Sequence, residues 1–154
     1  MEAFEIERKF LVKKLPEDLE KYECRQLEQG YLCTEPVVRI RRSDDTYTLT
    51  YKGKGLLVRE EYNLPLTKEA YEHLKPKADG ILITKKRYKI PYQSYMIELD
   101  IFEGELASLQ LAEVEFPTKE EAEAFEAPEW FGEDVTFSGQ YQNSSLSKRS
   151  YKKK

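Results

Sequence analysis

The 154-residue chain is poor in the residues that thiol and soft-metal chemistry require, with two cysteines and one histidine. Without a Cys/His cluster a zinc site is not expected, and any metal would be a hard cation held by oxygens. Cys24 and Cys33 could pair, but one disulfide in a chain without export signals is improbable, so both are expected to be reduced packing residues. His73 falls in a polar helical stretch and is expected on the surface. No apolar run approaches the roughly 18 residues of a membrane span. No charged start followed by an apolar block suggests a signal peptide, so the expected setting is the cytoplasm, with no membrane partner. Charge of one sign is not in surplus: 25 basic and 29 acidic residues leave a net charge of -4. That balance argues against a broad basic face, and no nucleic-acid partner is expected.

What is present is charge of both signs and tyrosine. The chain is 40% hydrophobic and 35% charged, with 11 tyrosines, which suits an ordered, β-rich domain. Its length supports one core, so residues 1–150 are expected to form a single domain and 151–154 a frayed basic tail. The opening stretch sets a pattern that later stretches repeat. In Phe4 to Phe10, Phe4, Ile6 and Phe10 fall on one strand face, and Glu5, Glu7 and Lys9 on the other.

The same split recurs along the chain. Arg25, Leu27, Gln29 and Tyr31 share a face, as do Arg39 and Arg41 in Val37 to Arg42. Thr48, Thr50 and Lys52 oppose Tyr47, Leu49 and Tyr51, and Gly53-Lys54-Gly55 forms a loop. Val58 to Leu64 sets Arg59, Glu61 and Asn63 apart, Ile81 to Ile90 sets Lys85, Arg87 and Lys89 apart, and Glu98 and Asp100 follow in Tyr95 to Phe102. Glu113 and Glu115 close the series in Leu111 to Phe116. Between strands, Lys13 to Tyr22 is helix-like in pieces, and Thr67 to Leu74 is a helix with Thr67 as its N-cap. The remainder reads as helical, with pieces over Lys119 to Phe125 and Ser138 to Ser147.

About eight strands thus carry a charged face, and the signs are largely sorted by strand. Acids dominate the first and last two strands, bases the second to fourth and the sixth. A generic surface mixes signs within a strand. The arrangement expected is α+β and mainly β: an eight-stranded antiparallel barrel forming a tunnel with charged interior, flanking helices and a C-terminal helix. Charges so crowded need one another and a charged ligand. Glu5, Glu7, Glu61, Glu98, Asp100, Glu113 and Glu115 offer oxygens suited to Mg²⁺ or Mn²⁺. Lys9, Arg39, Arg41, Lys52, Lys85 and Arg87 offer a lining for a polyphosphate.

The Glu5-Glu7-Lys9 pattern, the Arg39/Arg41 pair, Lys52, the Lys85/Arg87 pair and the Glu113-Val114-Glu115-Phe116 strand together resemble the CYTH superfamily, the triphosphate tunnel metalloenzymes. Gln29-Gly30-Tyr31-Leu32 and the run from Trp130 to Thr136, with Tyr141 and Asn143, are similar to its small bacterial single-domain branch. The resemblance implies metal-dependent hydrolysis of inorganic triphosphate to pyrophosphate and phosphate. It also implies that Glu5, Glu7 and Glu115 are leading metal ligands, that Glu61, Asp100 and Glu113 lie near a second metal or the attacking water, and that Tyr31 and Lys52 act in catalysis. A CYTH-type adenylate cyclase, a thiamine or nucleoside triphosphatase and a non-catalytic polyphosphate-binding module remain as alternatives.

Overall fold

A computed structural model describes residues 4–147, so the tail expected at 151–154 lies outside the described residues. The described strands are β1 (Phe4–Val12), β2 (Glu23–Thr34), β3 (Val37–Ser43), β4 (Thr46–Lys52), β5 (Val58–Leu66), β6 (Asp79–Tyr92), β7 (Tyr95–Glu103), β8 (Gln110–Glu115) and β9 (Phe131–Asp134). The helices are short: α1 (Lys68–Leu74), α2 (Lys119–Ala124) and α3 (Asn143–Leu146). Sheet order is β5-β4-β3-β2-β6-β7-β8-β1-β9, and a β5–β1 pairing closes the first eight into an antiparallel barrel.

β1 is the seam. Phe4 to Ile6 pair with β5, Glu7 to Leu11 pair with β8, and the far end meets β9 through Phe10 and Val12. Past Ile6 the β5 edge diverges, and the β1 backbone there finds other partners: Glu7 N–H donates to the Leu57 carbonyl at 3.1 Å and Val135 N–H to the Lys9 carbonyl at 2.8 Å. This demand for partners explains β9, which lies where the sequence pattern suggested helix. Four residues around Gly132 are too few to show an alternation, and a Cβ at Gly132 would sit 3.3 Å from the Leu11 carbonyl oxygen.

Other helix expectations fare unevenly. Thr67 does cap α1, accepting from Ala70 N–H at 3.0 Å, and Thr118 caps α2 in the same way. The single helix expected over Ser138 to Ser147 is instead a 3-10 turn at Gly139–Tyr141 followed by α3. The Lys13 to Tyr22 connector holds only a 3-10 turn at Leu19–Lys21. Both cysteines are free, but Cys24 is exposed rather than packed.

Two apolar clusters frame the bore. The outer one joins Phe10, Ile90, Ile97, Leu99, Ala112, Val114 and Phe116 from the outward faces of β1, β6, β7 and β8 with Ala122 of α2 and Phe131 of β9. The second occupies the inward-facing parity at one end of the strands: Tyr31, Val37, Ile83, Phe102 and Leu111, covered by Leu106, Leu109, Val135 and Leu146. The bore is therefore not ionic along its whole length. Its charged part rests on an apolar floor under α3, which removes water from one side of the charges.

Gly30 packs where no side chain fits, since a Cβ there would lie 2.8 Å from both Ala78 Cβ and Leu82 Cδ2. Gly30→Val is expected to cost about 2 kcal/mol and lower Tm by roughly 4–8 °C. A melting curve that superposes on wild type would refute this packing.

Candidate active site

Strand register assembles the site in rows. Glu7 stands opposite Glu115 and Lys9 opposite Glu113 across β1 and β8, and Glu98 stands opposite Glu113 across β7 and β8. Tyr31 and Gln29 of β2 stand opposite Arg39 and Arg41 of β3, Arg39 opposite Thr50 of β4, and Thr50 opposite Asn63 of β5. Acids thus gather where β7, β8 and β1 meet, and arginines gather across β2 and β3. Between them is a cavity of about 260 Å³.

Half of the lining charges are paired internally. Lys52 Nζ lies 2.9 Å from Glu5 Oε1, and Lys9 Nζ lies 3.1 Å from Glu113 Oε2 while donating to the Tyr141 carbonyl at 3.0 Å. Arg87 makes a two-pronged contact with Asp100, both bonds 2.8 Å, and reaches Glu98 at 3.1 Å. Lys85 Nζ approaches Asp100 Oδ2 at 2.7 Å. Six groups are left over. Among the described residues that line the cavity, Glu7, Glu61 and Glu115 have no cation within ion-pair distance, and Arg39, Arg41 and Arg59 no carboxylate.

The imbalance shows in the acidities. Burial, then repulsion from Glu113 and Glu5, raises the Glu7 carboxyl well above its ordinary value. Desolvation, with repulsion from Glu5, Glu61 and Glu98, pushes Glu115 up to about 7. Burial and the neighbouring Arg39 and Arg87 lower Arg41 to about 9. Glu113 and Asp100 behave oppositely: burial works against their charge, but Lys9 and Arg87 hold Glu113 low, and Arg87 and Lys85 hold Asp100 low.

The cavity brings together Glu5, Glu7, Lys9, Tyr31, Arg39, Arg41, Lys52, Glu61, Arg87, Glu113 and Glu115. Lys85 and Asp100 stand apart from the expectation that they meet phosphate and water. Both are 0% exposed and sit inside the bore beside the apolar floor, Lys85 over the Phe102 ring, where Asp100 holds Arg87 and Lys85 holds Asp100. The carboxylates that converge also differ from the leading set: oxygens of Glu7, Glu98 and Glu113 lie within 4.8 Å of one another, so of Glu5, Glu7 and Glu115 only Glu7 belongs to this trio. Sequence pattern passed over Thr136, Ser138, Gln142 and Ser144, which line the cavity from the C-terminal segment. These are polar residues without periodicity, and only the resemblance, through the run ending at Thr136 and through Tyr141 and Asn143, pointed there.

A CYTH domain model matches residues 3–151. The chain belongs to the CYTH family. A CYTH relative from Nitrosomonas europaea, an inorganic triphosphatase, is 40% identical over 147 residues, covering 92% of this chain and 95% of the relative. An inorganic triphosphatase from Acetivibrio thermocellus is 36% identical over 155 residues, covering 96% of each. A crystal structure of an inorganic triphosphatase superposes with a TM-score of 0.70 at 37% identity, covering 93% of both chains.

CYTH triphosphatases imply a divalent metal, and the donors here fit one. All are carboxylate oxygens, as a hard cation prefers, and three converge within 4.8 Å, Glu98 and Glu113 held there by Arg87 and Lys9 and Glu7 without a cation of its own among the described residues. Such a cation must displace the protons that Glu7 and Glu115 retain. Between the ordinary carboxylate range and about pH 7 the unfolded chain has released the Glu115 proton while the folded one still holds it. Metal-free protein is therefore expected to lose stability as pH rises through that window and to level off above it. Added Mg²⁺ should raise Tm more at pH 8 than at pH 5. Thermal melts in chelator at both pH values check this, with Glu115→Gln expected to flatten the dependence; a slope unchanged by that substitution would assign the effect elsewhere.

Proposed function

We propose that the protein hydrolyses inorganic triphosphate to pyrophosphate and phosphate with a divalent cation, Mg²⁺ or Mn²⁺. The observation that carries this reading is the set of unmatched charges facing one cavity among the described residues: Arg39, Arg41 and Arg59 without carboxylates, Glu7, Glu61 and Glu115 without cations. A cation bound to a short polyanion supplies both missing partners at once.

In this reading Arg39 and Arg41 present guanidinium forks to the phosphates. Lys9, Lys52 and Arg87, already held on carboxylates, add positive charge along the chain and keep it in line. Glu7, with Glu98 and Glu113 beside it and Glu5 and Glu115 near the rim, holds the cation, which when bound neutralises phosphate charge and polarises the scissile group. A water oriented by Glu61 attacks the terminal phosphorus. The bond to the bridging oxygen breaks, and pyrophosphate leaves. The water's proton passes to the Glu61 carboxylate, and Tyr31, whose hydroxyl accepts from the Gln29 amide at 3.4 Å, donates its own hydrogen to a phosphate oxygen and orients the chain for attack. Asp100 and Lys85 act at one remove, by fixing Arg87.

Size favours an inorganic substrate over a nucleotide. The cavity of about 260 Å³ falls below the range of about 300–1,000 Å³ usual for organic ligands. Tyr31 is its sole aromatic lining residue among the described residues, so a nucleobase or thiazole ring would find little to stack on. The free thiols of Cys24 and Cys33 suit a reducing, cytoplasmic setting.

Phosphate release from tripolyphosphate, ATP and thiamine triphosphate under Mg²⁺, Mn²⁺ and Ca²⁺ tests the assignment directly. Tripolyphosphate should be turned over fastest, and Glu7→Gln and Arg41→Ala should each lower kcat/KM by at least about a hundredfold. Lys54→Ala, on the exposed loop, should leave it within twofold. Cyclic AMP formed from ATP, or binding without phosphate release under every metal, would overturn the assignment.

A further inference from the structure

Beside the charged residues lies a neutral relay that the reaction as described leaves unused. Arg39, Thr50 and Asn63 stand in one row across β3, β4 and β5. Arg39 Nη2 donates to Thr50 Oγ1 at 3.1 Å, and the Thr50 hydroxyl donates in turn to Asn63 Oδ1. Thr50 is wholly buried, so its single proton, with an arginine donor already on its oxygen, needs a protein acceptor. That need fixes the Asn63 amide with its oxygen toward Thr50 and leaves Nδ2 as its free donor, on a residue that lines the cavity.

Arg39 itself is 5% exposed and has no carboxylate partner among the described residues. Its Nε is buried without a hydrogen-bond partner. A guanidinium in that state has no anion to set its plane. Among the described residues Thr50 is the side chain that holds it, through Nη2.

The geometry points to Thr50 as a positioning residue that sets the Arg39 guanidinium for phosphate, and to Asn63 as a further phosphate-chain contact through Nδ2. This assignment rests on the triphosphatase reading and adds two residues to it. Strand geometry gives a reason for the pair. Thr50 has a short β-branched side chain that cannot reach the ligand from the wall, whereas Asn63, one strand further along the same row, opens onto the cavity and remains exposed. A neutral donor there supports a phosphate oxygen without adding to the repulsion between the arginines.

The test measures KM and kcat for tripolyphosphate with Mg²⁺, together with Tm. Thr50→Val, which keeps the shape and removes the hydroxyl, should raise KM about tenfold with kcat within threefold, and Thr50→Ser should restore KM. In an Arg39→Ala background Thr50→Val should add only the smaller loss that comes from releasing the Asn63 amide, because its main effect runs through Arg39. Asn63→Asp retains the acceptor for Thr50 and replaces the donor with a charge, so its KM should rise more than that of Thr50→Val at equal Tm. A Thr50→Val enzyme with wild-type KM, a Thr50→Ser enzyme as impaired as Thr50→Val, or a full additional loss in the Arg39→Ala background would each overturn the role of Thr50. If Thr50→Val does not fold, Thr50→Ser and the exposed Asn63→Asp decide: a Ser enzyme without near-wild-type KM, or an Asp enzyme with it, sinks the proposal. A wild-type protein that releases no phosphate from tripolyphosphate would instead bring down the activity on which the assignment depends.

Discussion

Like charges confined together in a partly dry bore repel one another, and the rest of this structure is arranged around that repulsion. Each buried ion without a partner costs several kcal/mol. The chain answers by pairing four of the cations with carboxylates: Lys9 with Glu113, Lys52 with Glu5, Lys85 and Arg87 with Asp100. The pairing stops short. Among the described lining residues three arginines and three glutamates remain unmatched, and the weakened acidity of Glu7 and Glu115 registers the cost. A protein selected for stability alone would have closed these pairs. The residual mismatch is complementary to a metal-bound polyanion, and binding such a ligand completes a network that folding leaves open.

The surrounding fold keeps those charges from relaxing. Barrel closure gives every wall residue two neighbouring strands, so a side chain cannot swing away without breaking register. The outer cluster of Phe10, Leu99, Val114 and Phe116 anchors β1, β7 and β8, the three strands that carry the acids. Arg8, on the outward face of β1, ties the same region to α2 and β9 by donating to the Ala122 carbonyl at 2.9 Å and to Asp134 at 2.7 Å. From the other end, the C-terminal segment supplies the apolar floor through Val135 and Leu146 and polar contacts through Tyr141 and Asn143, which accept from Lys9 and Lys85. Lys9 thus links the chain's beginning to its end within the cavity wall.

The alternation of charged and apolar residues made the eight barrel strands legible, because a period of two states directly which side chains share a face. Phe4-Glu5-Ile6-Glu7 and Val38-Arg39-Ile40-Arg41 each carry that message within four residues. β9 was not legible, since it exists to satisfy the exposed edge of β1 and not through any pattern of its own. The helix expected over Ser138 to Ser147 failed for a related reason: its polar residues face the cavity and its apolar ones pack on the floor, a division imposed by the barrel end and not by helical spacing. Lys85 and Asp100 share the parity of true wall residues, yet the fold buries them completely.

By itself the sequence determined the kind of lining, which signs lie on which strands, and the hard-oxygen character of any metal site, because these follow from residue type and parity alone. Only the tertiary structure decided which charges meet. Register across the β1 seam and between β7 and β8 brought Glu7, Glu98 and Glu113 together, paired Lys52 with Glu5 and left Arg39 to lean on Thr50. Such choices depend on distances of a few ångströms between strands far apart in the chain, and residue order does not encode them locally.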